Sequence, residues 1–520
     1  MPRQQTLRGT LDWSYDLLSE PEKRLFCQLS AFAGGWTLEA AEAVGVCVEG
    51  ETVLDLLGTL VGKSLVVVEV AQDGSVRYTL LEPVRQYARE KLEESEEAEV
   101  VLRRHALFFL TLAERAEPEL KGAGQEEWLV RLEEEHDNFR AALSWALEQG
   151  EAELALRLGA ALGEFWHMHG HLSEGRRWLE GALAKGDAAS VARVKALAKA
   201  SWIAWEQTDL ERATALGEEG LKLARKLGDE EGAATTLLNL GVAVMVRGEL
   251  ERATSLIEDG LPLFRESGDK WGLARSLLCL GLVAMFREDY ERAKALTEEG
   301  LAISRESGDV WCSNMALNQM ALMALLREDF GRTEALGKES LELSRRSGMV
   351  HHIAFALHTA AALAGSRGQP VRSARLWGAA EALREAIGTA FSPMEQRVYE
   401  PYMAAARDQV EDAAWEAAWS EGRAMDTDEA IEYALSEEEG TPSTPPAPRQ
   451  RVDDESALLT RREEEVAALV ARGLTNRLIA SEISLSEHTV ANHVARILRK
   501  LGLDSRSQLT AWVLEQRTLP

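Results

Sequence analysis

The chain has 520 residues, 46% of them hydrophobic and 28% charged, which is too long for one core and ordinary for soluble protein, so two to four folded domains are expected. No apolar run approaches the ~20 residues that span a bilayer and MPRQQTLRGT has no signal-peptide core, so no membrane partner is expected and the protein is read as cytoplasmic. The net charge of −28 excludes nucleic-acid binding by the chain as a whole, because phosphate contact needs local positive potential.

Residues 6–95 read as a small α/β module. Helices are predicted in TLRGTLDWSYDLL, in SEPEKRLFCQLSAF, where Ser19 and Glu22 form a capping box, and in TLEAAEAV. ETVLDLLGTLV follows with apolar residues at helical spacing, and SLVVVEV and SVRYTLL flank Asp73-Gly74 as a hairpin. PVRQYAREKLEE closes the unit, which together describes a winged helix over 1–95.

Within it, GTLVGKS invites comparison with the phosphate loop GxxxxGK[ST]. Only three residues separate Gly58 from Gly62, and the stretch runs from helix to strand where a phosphate loop runs from strand to helix. It is therefore read as a helix-to-strand turn with Gly62 as the C-cap.

Connecting helices are expected over 96–150. His167, His169 and His171 are spaced i, i+2, i+4, so only the outer pair shares a helix face, with no carboxylate at ligand spacing. No metal and no cofactor are expected there. Cys27, Cys47, Cys279 and Cys312 lack CxxC spacing and read as buried free thiols. Nothing resembles a catalytic constellation, so the chain is read as no enzyme.

Residues 151–421 are repetitive. Gly228-Asp229, Gly268-Asp269 and Gly308-Asp309 recur every 40 residues, with Gly348 keeping the beat. Gly241, Gly281, Ala321 and Ala361 hold register in the first helix of each unit, and Ala213, Ala253, Ala293 and Thr333 in the second. Small side chains let paired helices approach and stack as a solenoid. The pattern resembles tetratricopeptide repeats in a longer form. Arg247, Arg287, Arg327 and Arg367 close the first helices and Arg225, Arg265, Arg305 and Arg345 the second, near Asp209, Glu249, Asp289 and Asp329. Helix capping is the first reading of these columns and a ligand-facing basic stripe the alternative. Trp271, Trp311 and His351 form a further column, read as packing before peptide groove.

Residues 422–456 include the helix DEAIEYAL and then SEEEGTPSTPPAPRQRVDDES, whose prolines among acids and hydroxyls read as a tether. Beyond it the charge reverses: from Ser456 onward there are nine Lys and Arg against seven Asp and Glu. In 457–520, Thr460 with Glu463 opens a first helix that Gly473 stops, Thr475 caps a second, and Ser486 caps a third running to Leu501. Two short helices across a tight turn make a helix-turn-helix. Val490, Val494, Ile497 and Leu501 share the anchoring face of the third helix. His488, Asn492, Arg496 and Arg499, with Lys500 beside them, face the other way, as a major-groove reader requires.

This segment resembles the LuxR-type DNA-binding domain, with Leu459, Thr460, Arg462, Glu463, Glu465, Val466, Gly473, Asn476, Ile479, Ala480, Ser486, Thr489, Val490, His493, Ile497, Lys500 and Leu501 matching its usual run. The resemblance implies DNA contact by Thr475, Asn476, Arg477, Ser486, His488, Thr489, Asn492, His493, Arg496, Arg499 and Lys500, and pairing of two domains through SRSQLTAWVLEQ. Ala491 and Ala495 stand where the family usually has basic residues, so base reading rests more on Asn492, His488 and Arg496. His493 is open to packing or a phosphate bond.

LRGTLDWSYDLLSEPEKRLFCQLSAFAGGWTLEAAEAV and LEEEHDNFRAALSWALEQGEAELALRLGAAL resemble the part of large signal-transduction ATPase regulators that follows their nucleotide-binding module. That module is not found here, so nucleotide hydrolysis is not expected. The expectation is a mostly α regulator: a winged helix, a solenoid sensing a peptide, protein or small molecule, and a tethered four-helix domain that binds double-stranded DNA as a possible homodimer. The alternative is a protein- or peptide-binding repeat scaffold with a vestigial DNA-binding domain.

Overall fold

A computed structural model describes residues 2–45, 52–70, 75–186, 188–389, 391–436 and 461–472, with single positions between 474 and 513. The chain divides into two compact units, Met1–Arg423 and Ala424–Pro520.

The first unit opens with α1 (Pro2–Asp16), α2 (Glu20–Leu29), α3 (Leu38–Val44), α4 (Val53–Gly62), β1 (Val67–Val70), β2 (Val76–Thr79) and α5 (Glu82–Glu93). The capping box of α2 forms as expected: the Glu22 backbone N–H donates to Ser19 Oγ and the Ser19 N–H to Glu22 Oε2 at 2.7 Å. β1 and β2 pair antiparallel, Val67 opposite Thr79, and Trp36 bridges to Tyr78 from outside the hairpin. Asp73, Gly74 and Cys47 lie outside the described residues.

The reading of Gly62 as a C-cap is corrected. Gly62 is the last residue of α4, and the left-handed conformation falls on Ser64, at φ 59°. The Leu65 N–H reaches back to the Leu60 carbonyl and that of Ser64 to Val61, so the chain reverses two residues later than a glycine signal implies. Gly58 sits inside α4, and Lys63 pairs with Glu22 at 2.6 Å.

Connecting helices follow: α6 (Ala98–Glu119), α7 (Gln125–Glu134), α8 (His136–Gln149), α9 (Ala152–Ala161), α10 (Gly163–Met168) and α11 (Leu172–Lys185). They are joined to the winged helix by buried polar bonds. Asn138 donates to the Gly35 carbonyl at 2.9 Å and accepts from the Ala33 N–H at 3.0 Å, and Arg77 pairs with Glu135 at 2.5 Å. One core runs without interruption from Leu18 to Met349.

The repeats alternate two kinds of helix. α12 (Val191–Glu206), α14 (Glu230–Val246), α16 (Lys270–Phe286), α18 (Val310–Leu326) and α20 (Val350–Ser366) are apolar on nearly all sides and buried along most of their length. Between them, α13 (Leu210–Leu227), α15 (Leu250–Ser267), α17 (Tyr290–Ser307) and α19 (Phe330–Ser347) bury one stripe. A helix apolar all round must be enclosed, whereas an amphipathic one can face water. The first set therefore forms the inner layer and the second the outer. α21 (Pro370–Ala386), α22 (Pro393–Arg407) and α23 (Asp412–Arg423) close the unit.

The 40-residue beat has a local cause. Gly228, Gly268, Gly308 and Gly348 all take positive φ, between 67° and 73°. Asp229, Asp269 and Asp309 then cap the following inner helices, and Asp209, Asp289 and Asp329 the outer ones, each accepting a backbone N–H three residues on. Glu249 makes no such side-chain bond. Small residues set the helix spacing: a Cβ on Gly241 would stand 2.6 Å from Ile257 and one on Gly281 2.7 Å from Thr297.

The second unit contains α24 (Thr427–Leu435), opened by an Asp426–Glu429 capping box, and α25 (Arg461–Ala471). Its described core gathers Val466, Ala467, Leu469, Val470, Ile479, Val494, Ile497, Leu509 and Val513. Among the described residues no helix is long and apolar enough to cross a membrane.

Candidate nucleic-acid interface and interior cavity

In the second unit the anchoring half of the expected helix-turn-helix is visible. Val494 and Ile497 are helical and buried, Leu501 packs against them, and α25 supplies Val466 and Val470 opposite. The Arg506 guanidinium donates to the Leu474 carbonyl, tying the C-terminal helical residues to the end of α25. The residues expected to touch DNA, namely Thr475, Asn476, Arg477, Ser486, His488, Thr489, Asn492, His493, Arg496, Arg499 and Lys500, lie outside the described residues, as does Val490.

In the first unit the inner helices surround a cavity of about 150 Å³. Its wall takes Glu206 from α12, Val242 and Met245 from α14, Arg275 and Leu282 from α16, Trp311 and Met315 from α18, and His351 and Phe355 from α20. α22 covers it with Met394, Glu395 and Tyr399. Trp271 and Trp311 thus do pack, as the first reading has it, and Trp311 and His351 also line the cavity.

The charges around this cavity are nearly all satisfied. Glu206 accepts from His167 Nε2 at 2.9 Å, lies 3.6 Å from His351 Nδ1, and is 5% exposed. Burial raises its pKa, but His351, His167 and Arg275 outweigh that and hold it at about 2. Lys199 and Glu164 pair deeper in, with Lys121 4.0 Å from the same carboxylate. Arg384 pairs with Glu395. Arg275 differs. It is 2% exposed, and among the described residues it makes no side-chain hydrogen bond or ion pair, with Nη1 unsatisfied. It lies between indoles instead, 4.2 Å from the Trp202 ring centre, 5.1 Å from Trp271 and 5.7 Å from Trp311. Burial lowers its pKa from the ordinary arginine value.

The histidine cluster separates. His167 turns inward to Glu206, while His169 Nδ1 and His171 Nε2 meet Glu133 at 3.1 and 2.9 Å. The carboxylate that the local spacing lacks comes from α7, more than thirty residues earlier in the chain. Glu133, His136 and His171 offer donor atoms within 4.8 Å of one another, a set able to hold a cation. Here Glu133 serves as a hub: burial raises its pKa, and the two histidines bring it well below the usual carboxylate range.

The arginine columns pair with acids of neighbouring helices: Arg287 with Glu251, Arg327 with Glu291, Arg367 with Glu334 and Arg305 with Glu339. Arg247, Arg287, Arg327 and Arg367 are the C-cap residues of the inner helices. Sequence reasoning did not single out Arg275 or Glu206, although each is a buried charge on a mostly apolar inner helix.

Residues 457–513 match the family model of bacterial regulatory proteins, luxR family, and residues 18–93 that of a winged helix-turn-helix domain. The chain thus carries both modules. A Mycobacterium tuberculosis protein named as an HTH-type transcriptional regulator, Rv0890c, is 38% identical over 250 residues, 46% of this chain and 28% of the relative. The chain therefore spans little more than a quarter of the length of that relative. The nitrate/nitrite response regulator protein NarL of Escherichia coli is 41% identical over 59 residues, 11% of this chain and 27% of NarL. Among solved structures, a signal-transduction ATPase with a tetratricopeptide repeat sensor from Pyrococcus horikoshii aligns at TM-score 0.34 and 18% identity, over 75% of this chain and 66% of that one.

Proposed function

We propose that the chain is a DNA-binding transcriptional regulator whose repeats sense an effector. The observation that carries the reading is the luxR-family match over 457–513, with the apolar side of the expected reading helix buried at Val494 and Ile497. That side is anchored, so the Asn492 and Arg496 side is left for a major groove. There asparagine pairs bidentately with adenine and arginine with guanine or phosphate. In this reading His488, Asn492 and Arg496 meet base edges, while Thr475, Asn476, Arg477, Ser486, Thr489, His493, Arg499 and Lys500 position the domain on phosphates. The protein works in the cytoplasm, on two half-sites as a homodimer, and no catalytic step is assigned to it.

Sensing is supported by the cavity, since a concave, largely apolar space with a few converging polar groups is the usual form of a small-ligand site. Selecting fragments from random DNA with residues 456–520, then measuring their affinity for the full chain across salt concentrations, tests the proposal. A shared motif and an affinity falling with salt are expected. Binding that is absent, or indifferent to sequence, would favour the repeat scaffold instead.

A further inference from the structure

The cavity wall carries two cations, Arg275 and Arg384, and two carboxylates, Glu206 and Glu395. Lys199 and Lys121 share Glu164, Arg384 has Glu395, and Glu206 is engaged by two histidines. Arg275 alone among the cavity's charged side chains has no hydrogen-bonding or ion-pairing side chain among the described residues, though it is as buried as any of them. A guanidinium keeps its proton in protein interiors, and its five N–H donors cost free energy when left without acceptors. Indole faces compensate the charge and leave the donors unmet.

The rest of the wall restricts what can meet them. Val242, Met245, Leu282, Met315 and Phe355 are apolar, and the polar groups beside them, among them Asn318, Gln319, Ser392 and Tyr399, are uncharged. Phosphate, with more charge and more acceptors than one guanidinium can serve, fits poorly; a carboxylate matches the planar fork. Size fixes the remainder, because an apolar cavity of about 150 Å³ takes up a molecule of benzene's size.

We propose that the cavity binds a small monocarboxylate with an aromatic or branched aliphatic body, its carboxylate on Arg275 and its body against Met245, Met315 and Phe355. This rests on the reading of the repeats as a sensor and names the class of molecule sensed. The carboxylate supplies the acceptor that the buried Arg275 Nη1 lacks. Glu206, already held by His167 and His351, also lines the cavity and disfavours ligands with a second acid group.

Titrating the full chain with benzoate, 3-phenylpropionate and 4-methylpentanoate, against benzamide as the neutral isostere, tests the assignment by calorimetry and by quenching of the indole emission around Arg275. At least one carboxylate should saturate and quench, and benzoate should bind at least about tenfold more tightly than benzamide, the difference a charge-assisted bidentate contact makes. Arg275→Met should bring acid and amide to within about twofold. Met315→Trp, which fills the space and leaves Arg275 in place, should weaken every probe. If Arg275→Met does not fold, the acid-to-amide ratio on the unaltered chain decides. No saturation by any carboxylate up to about 10 mM, or an amide as tight as its acid, overturns the proposal. Carboxylate uptake that leaves DNA affinity unchanged keeps the site and refutes sensing, whereas selective DNA binding without uptake does the reverse.

Discussion

Acidification should unfold the first unit through its buried histidines before its carboxylates respond. His105 is 2% exposed, and burial lowers its pKa from 6.5 to about 4, against a weaker pull from its bond to Asn138. His136 falls to about 4 as well, through burial and then the nearby His171 and Arg140. Burial also lowers His351, His352 and His358. Each is neutral in the fold and protonated in the unfolded chain below pH 6.5, so its contribution is complete above 6.5 and is lost as pH falls towards the folded value. At pH 5 the first two have moved 1.5 units below the unfolded value, which at ~1.4 kcal/mol per unit costs about 2 kcal/mol each and about 4 together. Glu22, Glu174 and Glu206, held at about 2, add their loss only below 4.5. Urea unfolding at pH 7, 6 and 5, followed by tryptophan emission, should therefore show a steep decline before any carboxylate titrates. The double variant His105→Gln/His136→Gln should remove about 4 kcal/mol of that decline. A change of less than about 1 kcal/mol between pH 7 and 5 in the unaltered chain would refute the reasoning.

Asn138→Ala removes the bonds joining α8 to the Ala33–Gly35 turn; the Ala33 N–H loses its partner, whereas the Gly35 carbonyl keeps Arg77. A loss of about 2–4 kcal/mol in urea unfolding is expected, and Asn138→Asp should cost more because it sets a carboxylate beside Glu135. Gly281→Val forces a side chain against Thr297 and should destabilise by at least about 1–3 kcal/mol, while Gly58→Ala, with nothing within 4 Å of the new Cβ, should stabilise α4 by about 0.5–1 kcal/mol; thermal melts compare the two. Asn492→Ala in residues 456–520 should cost about 1–3 kcal/mol at the selected site and leave non-specific affinity unchanged in a gel shift.

The features legible in the sequence are those whose cause is local. A capping box needs two residues three apart, so Ser19 and Glu22 announce α2, and Ser392 with Glu395 forms the same motif at α22. A left-handed glycine followed by aspartate ends one helix and starts the next within two residues, which is why the outer-helix ends can be read at Gly228, Gly268 and Gly308. The other ends are harder. At the close of the inner helices the left-handed position is Thr208, Gly248, Glu288, Glu328 and Gly368 in turn. Three of these are not glycine, so the beat is present in the backbone and absent from the composition. Ser64 misleads in the same way at α4. There, tertiary packing supports a conformation that the residue type disfavours.

The cavity was hidden for a different reason: its wall is assembled from residues a whole repeat or more apart, and no window of sequence contains it. The repeat itself still carries the signal. Positions equivalent to Arg275 hold Thr235, Met315 and Phe355; those equivalent to Glu206 hold Val246, Phe286 and Leu326; those equivalent to His351 hold Glu231, Trp271 and Trp311. Stacking an inner layer needs only apolar or small groups at the Arg275 and Glu206 places, as the other repeats demonstrate. A polar or charged group there costs desolvation that packing does not return. Three such departures fall on three different helices and converge on one space of about 150 Å³. Convergence is not a requirement of the solenoid, since each repeat folds against its neighbours without it. It is what a site for a polar ligand requires, and Arg275 is the departure that no side chain of the repeats has been supplied to neutralise.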